Sequence, residues 1–202
     1  MKKLKKLFCI CLTFVFAASC TKSSLSFTDA EIEIINRYPQ QKMRLLIYDN
    51  KNDLPVLRQQ TKEFSDADLQ SDIFQNLKNQ MLLTVLDTAN TGVGIAAPQV
   101  GISRRLIAVQ RFDKPDEPFE FYANAYIVYF SDDKRTGIEG CLSIPGRRGN
   151  VERSETVAVK YIDTETLKPH TDTVSGFTAV IFQHEVDHLD GILYIDKLRP
   201  DE

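Results

Sequence analysis

The sequence predicts an α+β domain in which mixed or antiparallel sheets pack around a C-terminal helix, with one long helix in the N-terminal half. Two observations lead to this fold class. Apolar residues recur at helical spacing over residues 66–88 and again over 177–189. Between these helices, β-branched and aromatic residues dominate the stretches 104–110, 119–130 and 154–163. The order helix, strands, helix is typical of folds whose helices and strands are segregated.

Length and charge limit the domain organisation and the classes of function. The chain has 202 residues and a formal net charge of −3. It therefore has room for one domain and lacks the basic balance typical of a nucleic-acid-binding protein. We divide it into a leader over residues 1–20, a tether over 21–42 and a folded domain over 43–202. The sequence carries no feature that indicates an oligomeric state.

Residues 1–20 have the three parts of an export leader. Lysines come first, an apolar run extends from Leu7 to Ala18, and small residues precede Cys20. The apolar run is shorter than a membrane-spanning helix requires. The ending A-A-S-C resembles a bacterial lipoprotein processing site, which predicts a lipid anchor at Cys20 and a location in the cell envelope. The alternatives are cleavage near Ser19 with secretion, an uncleaved anchor, and a cytoplasmic protein whose leader is not used.

The first part of the predicted domain carries turn signals and a well-marked helix. The tether runs into a short helical piece, residues 45–48 predict a short strand, and 54–58 predict an extended or turn segment. Ser65 is a suitable N-cap, with Asp68 three residues later as in a capping box. The helix over 66–88 has one apolar stripe, which we assign to the core rather than to a cofactor: Leu69, Ile73, Leu77, Met81 and Val85.

The middle and end of the chain alternate strands with turns before the last helix. Residues 92–101, GVGIAAPQVG, predict a Gly/Ala-rich loop after the long helix. Residues 165–176 predict a turn region, in which His170 is expected to be solvated. The last helix, over 177–189, is predicted to end at Gly191, since glycine is favoured just beyond a helix C-terminus.

The last helix contains the pattern H-E-x-x-H, with His184 and His188 four residues apart. Both imidazoles therefore project from the same helical face. Phe177 and Ile181 continue that face backwards, which directs the histidines toward the core and the sheet. The pattern, with Glu185 between the histidines, indicates a hydrolytic metal site. A single inward histidine, in contrast, is more often a hydrogen-bonded core residue.

Two histidines are too few for a catalytic metal site, so a third ligand is required. Too little chain follows His188 for the distant glutamate of one group of zinc proteases. Tyr194 occupies the position of the third histidine in the extended pattern H-E-x-x-H-x-x-G-x-x-H. The upstream candidate is Cys141 in GIEGCLSIPG, the lone cysteine outside the leader. A Cys-His-His set leaves one position open for water, as catalytic sites do, whereas the alternative for Cys141 is a small buried hydrophobe.

Three segments together resemble the peptide deformylases. GVGIAAPQ at 92–99 is similar to the first motif of that family, EGCLS at 139–143 to the second, and QHEVDH at 183–188 to the third. The order and spacing of the motifs also fit, and the similarity runs from about Leu45 to Leu198. Three linked motifs are far more specific than any one of them. The family's members ordinarily act in the cytoplasm, so the export leader is a departure.

The resemblance implies a deformylase-like catalytic domain over 43–202. Its function would be metal-dependent removal of the N-formyl group from N-formylmethionyl peptides, giving formate and a free amino terminus. Cys141, His184 and His188 would hold one divalent metal ion on the C-terminal helix. Fe²⁺ is typical of the family, and Zn²⁺, Ni²⁺ or Co²⁺ can also occupy such a site.

The resemblance also implies the remaining roles in the site. Glu185 would be the general acid/base, which takes a proton from the attacking water and delivers it to the leaving nitrogen. The side-chain amide of Gln99 and the backbone N–H of Leu142 would donate to the developing oxyanion. Gly94 would accept a hydrogen bond from the backbone of the formylated peptide substrate.

Two further residues and two alternative functions complete the prediction. We expect Glu139 and Arg104 to brace the site. A metallopeptidase or other amide hydrolase could use the same residues, and formate release without cleavage of internal peptide bonds would distinguish the two. A non-catalytic surface lipoprotein is the other alternative, against which the intact set of chemical residues argues.

Overall fold

The computed structural model of the protein describes residues 27–37, 39–89 and 92–199. The predicted leader, with Cys20, lies outside these ranges. Within them, no helix is both long and apolar enough to cross a membrane.

The residues that the structure describes form seven strands in two antiparallel sheets. The strands are β1 (Gly94–Ala96), β2 (Leu106–Gln110), β3 (Phe119–Phe130), β4 (Lys134–Cys141), β5 (Ile144–Ser154), β6 (Thr156–Asp163) and β7 (Pro169–Ser175). One sheet has the spatial order β1-β2-β3-β6-β7, and β4 pairs with β5 in a separate hairpin. With the helices on either side, this arrangement confirms the predicted α+β fold.

Five α-helices and two short 3-10 helices, Ala97–Val100 and Tyr194–Lys197, accompany the sheets in the same part of the chain. The α-helices are α1 (Asp29–Asn36), α2 (Leu54–Leu57), α3 (Asp66–Leu69), α4 (Asp72–Val85) and α5 (Gly176–Leu189). The capping box of Ser65 and Asp68 is present at the start of α3. The single helix predicted over 66–88 is wrong, however, because Ser71 adopts an extended backbone and caps a new helix by accepting from the Phe74 N–H.

Strand β2 of the large sheet is buried on both faces, which explains its continuous apolar run. Leu106 and Ala108 face a core shared with α4, whereas Ile107 and Val109 face a second core shared with α5. Successive side chains of a strand point to opposite faces, so both sets must be apolar here. The metal-binding pattern on α5 therefore lies on a helix that is fixed to the sheet.

Several segments differ from the sequence predictions. Residues 45–48 form no strand, but the Leu46 N–H donates to the Gln99 carbonyl and the Tyr48 N–H to the Ser143 carbonyl, both at 2.8 Å. Residues 54–58 contain the short helix α2. The predicted loop over 92–101 contains β1, and the predicted turn over 165–176 contains β7.

The N-terminal helix α1 falls within the predicted tether but packs on the folded domain. Ile35 is fully buried in the core shared with α4, and Phe27 joins the same core. Arg104 donates to the Glu31 carboxylate at 2.9 Å, and its guanidinium lies 5.4 Å from the centre of the Phe27 ring. The folded unit therefore extends upstream of Met43 to Phe27, and Arg104 secures α1 instead of bracing the metal site.

Candidate metal centre

Helix α5 presents the two histidines on one face, as their spacing predicts. His188 is 1% exposed, and the ring centres of His184 and His188 are 5.0 Å apart. The helix ends at Leu189, and Gly191 follows two residues later with a φ of 73°, where a Cβ atom would overlap the backbone of Arg58. The end of the helix is thus fixed just beyond the second histidine.

Cys141 reaches the histidines from the hairpin. It is the last residue of β4 and pairs with Ile144 across a two-residue turn. Its Sγ lies 3.2 Å from His188 Nε2, and the ligand atoms of Cys141, His184 and His188 all lie within 4.8 Å of one another. The three residues proposed as metal ligands are therefore brought together in space, although 43 residues separate Cys141 from His184 in the sequence.

Glu139 fixes the orientation of His184. Its carboxylate lies 2.8 Å from His184 Nδ1 and also accepts two hydrogen bonds from Arg153, at 2.7 and 3.0 Å. Burial alone would raise the pKa of Glu139, but Arg153 and His184 lower it to about 2. An ionised Glu139 holds a proton on Nδ1 and leaves Nε2 as the ligand atom of His184.

Asp187 extends this network on the outer side of α5. It accepts from Arg153 and, at 2.7 Å, from Lys197. Arg153 is thus held by two carboxylates, one on β4 and one on α5. The network ties the hairpin that carries the cysteine to the helix that carries the histidines.

The two histidines have pKa values shifted in opposite directions. Burial and the nearby His184 lower the pKa of His188 well below its usual value. Burial also lowers the pKa of His184, but its hydrogen bonds to Cys141 and Glu139 raise it overall. His188 is therefore neutral near pH 7, which leaves a lone pair available for a metal ion.

Glu185 is buried beside this cluster. It is 4% exposed, and its Oε2 atom forms no hydrogen bond with any described residue. Desolvation raises its pKa to about 7. Gly94 of β1 lies directly against this carboxyl group, so that only a residue without a side chain fits there.

Gln99 points its amide toward the cysteine. Its Oε1 accepts a hydrogen bond from the Ala96 N–H at 2.8 Å. This contact turns Nε2 toward Cys141 Sγ, at 3.4 Å, and toward Ser143 Oγ, at 3.3 Å. The orientation of the amide is therefore set by the backbone of the first motif.

A cavity of about 450 Å³ opens in front of these residues. Gly94 and Gln99 line one wall, Cys141 and Leu142 a second, and Glu185 belongs to the wall formed by α5. Leu142 is half-buried and packs against the core shared with α4. A cavity of this size accommodates a few residues of an extended peptide.

Six of the seven sequence-predicted site residues line this cavity, and the seventh, His188, lies next to them with its Nε2 atom 3.2 Å from Cys141 Sγ. Glu139 braces the site as expected. Arg153 and Ser143 were missed, and Asp187 was noted only as part of the third motif, because only their positions across the hairpin and the helix reveal their contacts. The glycine-rich motif around Cys141 gave no signal for Arg153, which lies twelve residues downstream.

The residues present suit a divalent metal ion. One thiolate and two imidazoles are a set that zinc, iron, nickel and cobalt accept. Three protein ligands leave a position for solvent, and the unpartnered oxygen of Glu185 lies buried beside the ligands. A site of this kind defines the chain as a metal-dependent hydrolase.

Comparisons with known proteins agree with this class. The sequence profile of the polypeptide deformylase family matches residues 43–202. A peptide deformylase of Leptospira biflexa is 36% identical over 152 residues, covering 72% of this chain and 83% of the relative. The class I type b peptide deformylase of Acinetobacter baumannii aligns with a TM-score of 0.68, both with actinonin bound (36% identity, 78% of this chain and 99% of that one) and with Met-Ala-Ser bound (37%, 78% and 98%).

These matches show that the chain belongs to the polypeptide deformylase family. Its activity is the metal-dependent removal of the N-formyl group from N-formylmethionyl peptides, which confirms the prediction from the three motifs.

Proposed function

We propose that Cys141, His184 and His188 hold the catalytic metal and that Glu185 moves the protons of the deformylation reaction. The observation that supports this assignment is the convergence of three ligand atoms within 4.8 Å of one another beside a buried carboxyl group. A closed structural site would instead have four protein ligands.

The chemistry follows from the positions of the side chains. When bound, a divalent cation supplies a Lewis acid that lowers the pKa of the attacking water. Glu185 takes one proton from this water and delivers it to the amide nitrogen as the bond to the formyl carbon breaks. The products are formate and a free amine. A pKa of about 7 suits a group that must accept and donate a proton near neutral pH.

Gln99 and Leu142 are proposed to stabilise the oxyanion that develops on the formyl oxygen. The Gln99 Nε2 group faces the cysteine because its carbonyl is held by the Ala96 N–H. A donor that is already oriented costs little reorganisation during the reaction. The backbone N–H of Leu142, next to Cys141, would be the second donor.

Gly94 is proposed to bind the backbone of the peptide. It lies on β1, which is an edge strand of the large sheet and lines the cavity. An extended peptide can add to such an edge through main-chain hydrogen bonds. The Met-Ala-Ser bound to the A. baumannii relative supports a peptide as the ligand.

We assign Fe²⁺ as the resident metal on the family resemblance, with Zn²⁺, Ni²⁺ and Co²⁺ as the alternatives. The mixed sulfur and nitrogen ligands are compatible with each of these ions. Metal analysis of full-length protein purified anaerobically without added metal distinguishes them. A preparation that contains mostly zinc and is fully active would reject iron.

We further propose that the protein is exported and anchored in the cell envelope by a lipid on Cys20. Support comes from the basic, apolar and small-residue parts of the leader. It would then act on formylated peptides outside the cytoplasm. Labelled fatty acid should enter the wild-type protein and not a Cys20→Ser variant. Lipid and membrane association that persist in the variant would reject the anchor, and a cytoplasmic, unprocessed protein would reject export.

The activity assay uses formyl-Met-Ala-Ser and measures formate. We expect Glu185→Ala to bind metal normally and to lose about 10²–10⁴-fold in turnover, the usual contribution of a positioned acid/base. Full activity in this variant would reject the role of Glu185. Cleavage of internal peptide bonds without formate would indicate a peptidase instead.

A further inference from the structure

We propose that the C-terminal end of strand β3 rests on the surface of a lipid bilayer when the chain is anchored at Cys20. The contact surface consists of Tyr126, Val128, Tyr129 and Phe130, which we call the apolar rim. This inference rests on the proposed lipid anchor and adds a partner to it, a phospholipid membrane. It is drawn from the exposure of the apolar rim, its unpaired strand edge and its distance from the point where the described residues begin.

The apolar rim exposes large side chains at consecutive positions of one strand. Tyr126 is 39% exposed, Val128 56%, Tyr129 55% and Phe130 52%. Single apolar residues are normal on a protein surface, whereas a contiguous group of them marks an interaction site. None of the four residues lines the catalytic cavity, so the proposed mechanism gives the apolar rim no role.

The backbone of the apolar rim is paired on one side only. Strand β2 pairs with β3 as far as Ala123, and among the described residues β6 is the one strand that pairs with β3 beyond that point. Strand β3 therefore becomes an edge strand at this end, with N–H and C=O groups that need water or another polar partner. The apolar rim can enter the headgroup level of a bilayer, where water remains, but not the hydrocarbon interior.

The chemistry of the apolar rim suits a membrane interface. Tyrosine is enriched at this level, because its ring contacts apolar groups while its hydroxyl stays in a polar environment. The Tyr126 hydroxyl donates to Glu63 at 2.9 Å, and the Arg105 guanidinium lies 3.8 Å from the centre of the Tyr126 ring. The neighbouring charges are mixed, since Lys160 opposite Tyr126 is exposed and so are Glu63 and Asp132. The contact should therefore depend on apolar burial rather than on the charge of the lipid.

The described residues begin close to the apolar rim. Phe27 is 9% exposed, its N–H donates to Asp68 at 3.0 Å, and its ring centre lies 5.4 Å from that of Phe64. The Phe64 N–H and carbonyl both bond to the side chain of Asn124, at 2.8 and 3.0 Å. Asn124 lies on β3 two residues before Tyr126. The chain therefore enters the fold through contacts that lead directly to the apolar rim.

The length of the linking chain keeps the apolar rim near the anchor. Cys20 and Phe27 are seven residues apart in the sequence. Seven residues span at most about 25 Å when fully extended. A lipid on Cys20 would thus hold the apolar rim close to the bilayer, and a short link gives an effective concentration on the order of millimolar, at which a weak contact persists. A second copy of the chain, which could also pair along this edge, is not linked to it in this way.

A single introduced tryptophan tests the contact, because the chain contains no tryptophan of its own. Tyr129→Trp is produced as the full chain with its leader, purified from membranes and incorporated into phosphatidylcholine vesicles. We expect its emission to shift to shorter wavelength in vesicles relative to detergent. Lipids brominated near the headgroup should quench it more than lipids brominated near the end of the acyl chain, because interfacial insertion reaches only about 5–10 Å. Addition of anionic phosphatidylglycerol or of salt should change the quenching little.

Matched variants assign the contact to the apolar rim. Leu83→Trp, at a residue of α4 that is 44% exposed, should show neither the shift nor the quenching. Val128→Ser/Phe130→Ser, combined with Tyr129→Trp, should lose the quenching and keep its rate of formate release, which shows that the variant is folded.

The outcomes separate the membrane contact from the proposals on which it rests. Lipidated Tyr129→Trp that is not quenched would overturn the contact alone. An emission shift that follows protein concentration in detergent would mean that a second copy covers the apolar rim, and would overturn the contact as well. A full chain without lipid on Cys20 would overturn the anchor together with the contact. None of these results affects the deformylase activity, which formate release measures separately.

Discussion

Gly94 and Glu185 are in direct contact across the catalytic cavity, although one lies on an edge strand and the other on the C-terminal helix. A methyl carbon placed on Gly94 would overlap Glu185 Oε1 and lie 2.9 Å from Cδ. The position of the carboxyl group that we propose as the acid/base therefore depends on the absence of a side chain at residue 94.

Gly94→Ala should lower kcat/KM for formate release by about 10²-fold, because a displacement of about 1 Å of a catalytic group has effects of this size. The metal content should stay normal, since the three atoms nearest the new methyl group all belong to Glu185, which is not one of the proposed ligands. Gly137→Ala is the matched control, because a Cβ atom at Gly137 meets nothing within 4 Å. Equal activity of the two variants would contradict the steric argument.

The variant Glu139→Gln tests whether the Glu139 carboxylate orients His184 for metal binding. An amide cannot provide the negative charge that keeps the proton on Nδ1 of His184, so the histidine should bind metal less well. We expect the affinity for a divalent ion to fall about 10–100-fold. Competition with a chromophoric chelator measures this affinity without reference to activity.

The control for Glu139→Gln lies on the same hairpin. Glu152 is exposed and pairs with Arg199 at 3.2 Å, away from the metal ligands. Glu152→Gln should therefore leave the metal affinity unchanged. A similar loss in both variants would indicate a general effect of the hairpin charge rather than the contact with His184.

The sequence singled out the three residues that the structure brings together as candidate metal ligands, because each carries its own local signal. The histidines share one helical face by spacing alone, and Cys141 is the lone cysteine outside the leader. The contacts of Arg153 with Glu139 and Asp187 could not be predicted from the sequence. These two carboxylates lie on different elements, 14 and 34 residues from Arg153 in the chain. Contacts of this kind follow from the sheet register and the helix docking, which a single sequence does not specify.

Secondary structure was predicted least well in the segments whose backbone conformation depends on tertiary contacts. The strands β1 and β7 pair with neighbours at the edges of the large sheet although their sequences are typical of a loop and a turn. The break at Ser71 occurs within a continuous apolar stripe, since the Ser71 hydroxyl can cap a new helix as readily as continue an old one. The apolar spacing placed the core residues correctly across that break.

Arg104→Ala should destabilise the protein, because it leaves two buried carboxyl groups without a close cation. Glu31 is 8% exposed and Asp68 is 5% exposed, and Arg104 lies within 4.0 Å of both. Breaking a buried ion pair from one side costs about 3–5 kcal/mol. Urea unfolding of the metal-free protein measures the change.

Arg37→Ala provides the comparison for this experiment. Arg37 pairs with Glu33 on the exposed face of α1 at 2.9 Å. An exposed pair four residues apart on a helix contributes about 0.3–0.5 kcal/mol. If Arg104→Ala lowered the free energy of unfolding no more than Arg37→Ala does, the ion pair of Arg104 with Glu31 would not hold α1 to the domain.

Asp113→Asn should change how stability depends on pH. The Arg111 guanidinium donates two hydrogen bonds to Asp113, at 2.8 and 2.7 Å, and lowers the pKa of that carboxyl group to about 2. Because the folded-state pKa lies below the ordinary value near 4, the ionised carboxylate stabilises the fold above about pH 4. This stabilisation is lost as the pH falls toward 2. The wild type should therefore unfold at a higher urea concentration than the variant at pH 6, and the difference should narrow between pH 4 and pH 2.

The comparison of two metal-free proteins cancels the titration of groups that both proteins contain. Asp132→Asn, at an exposed aspartate in the loop before β4, is the matched control for the loss of one surface carboxyl group. A difference between wild type and Asp113→Asn that stays constant from pH 6 to pH 2 would contradict the link between Arg111 and the acid stability of the fold.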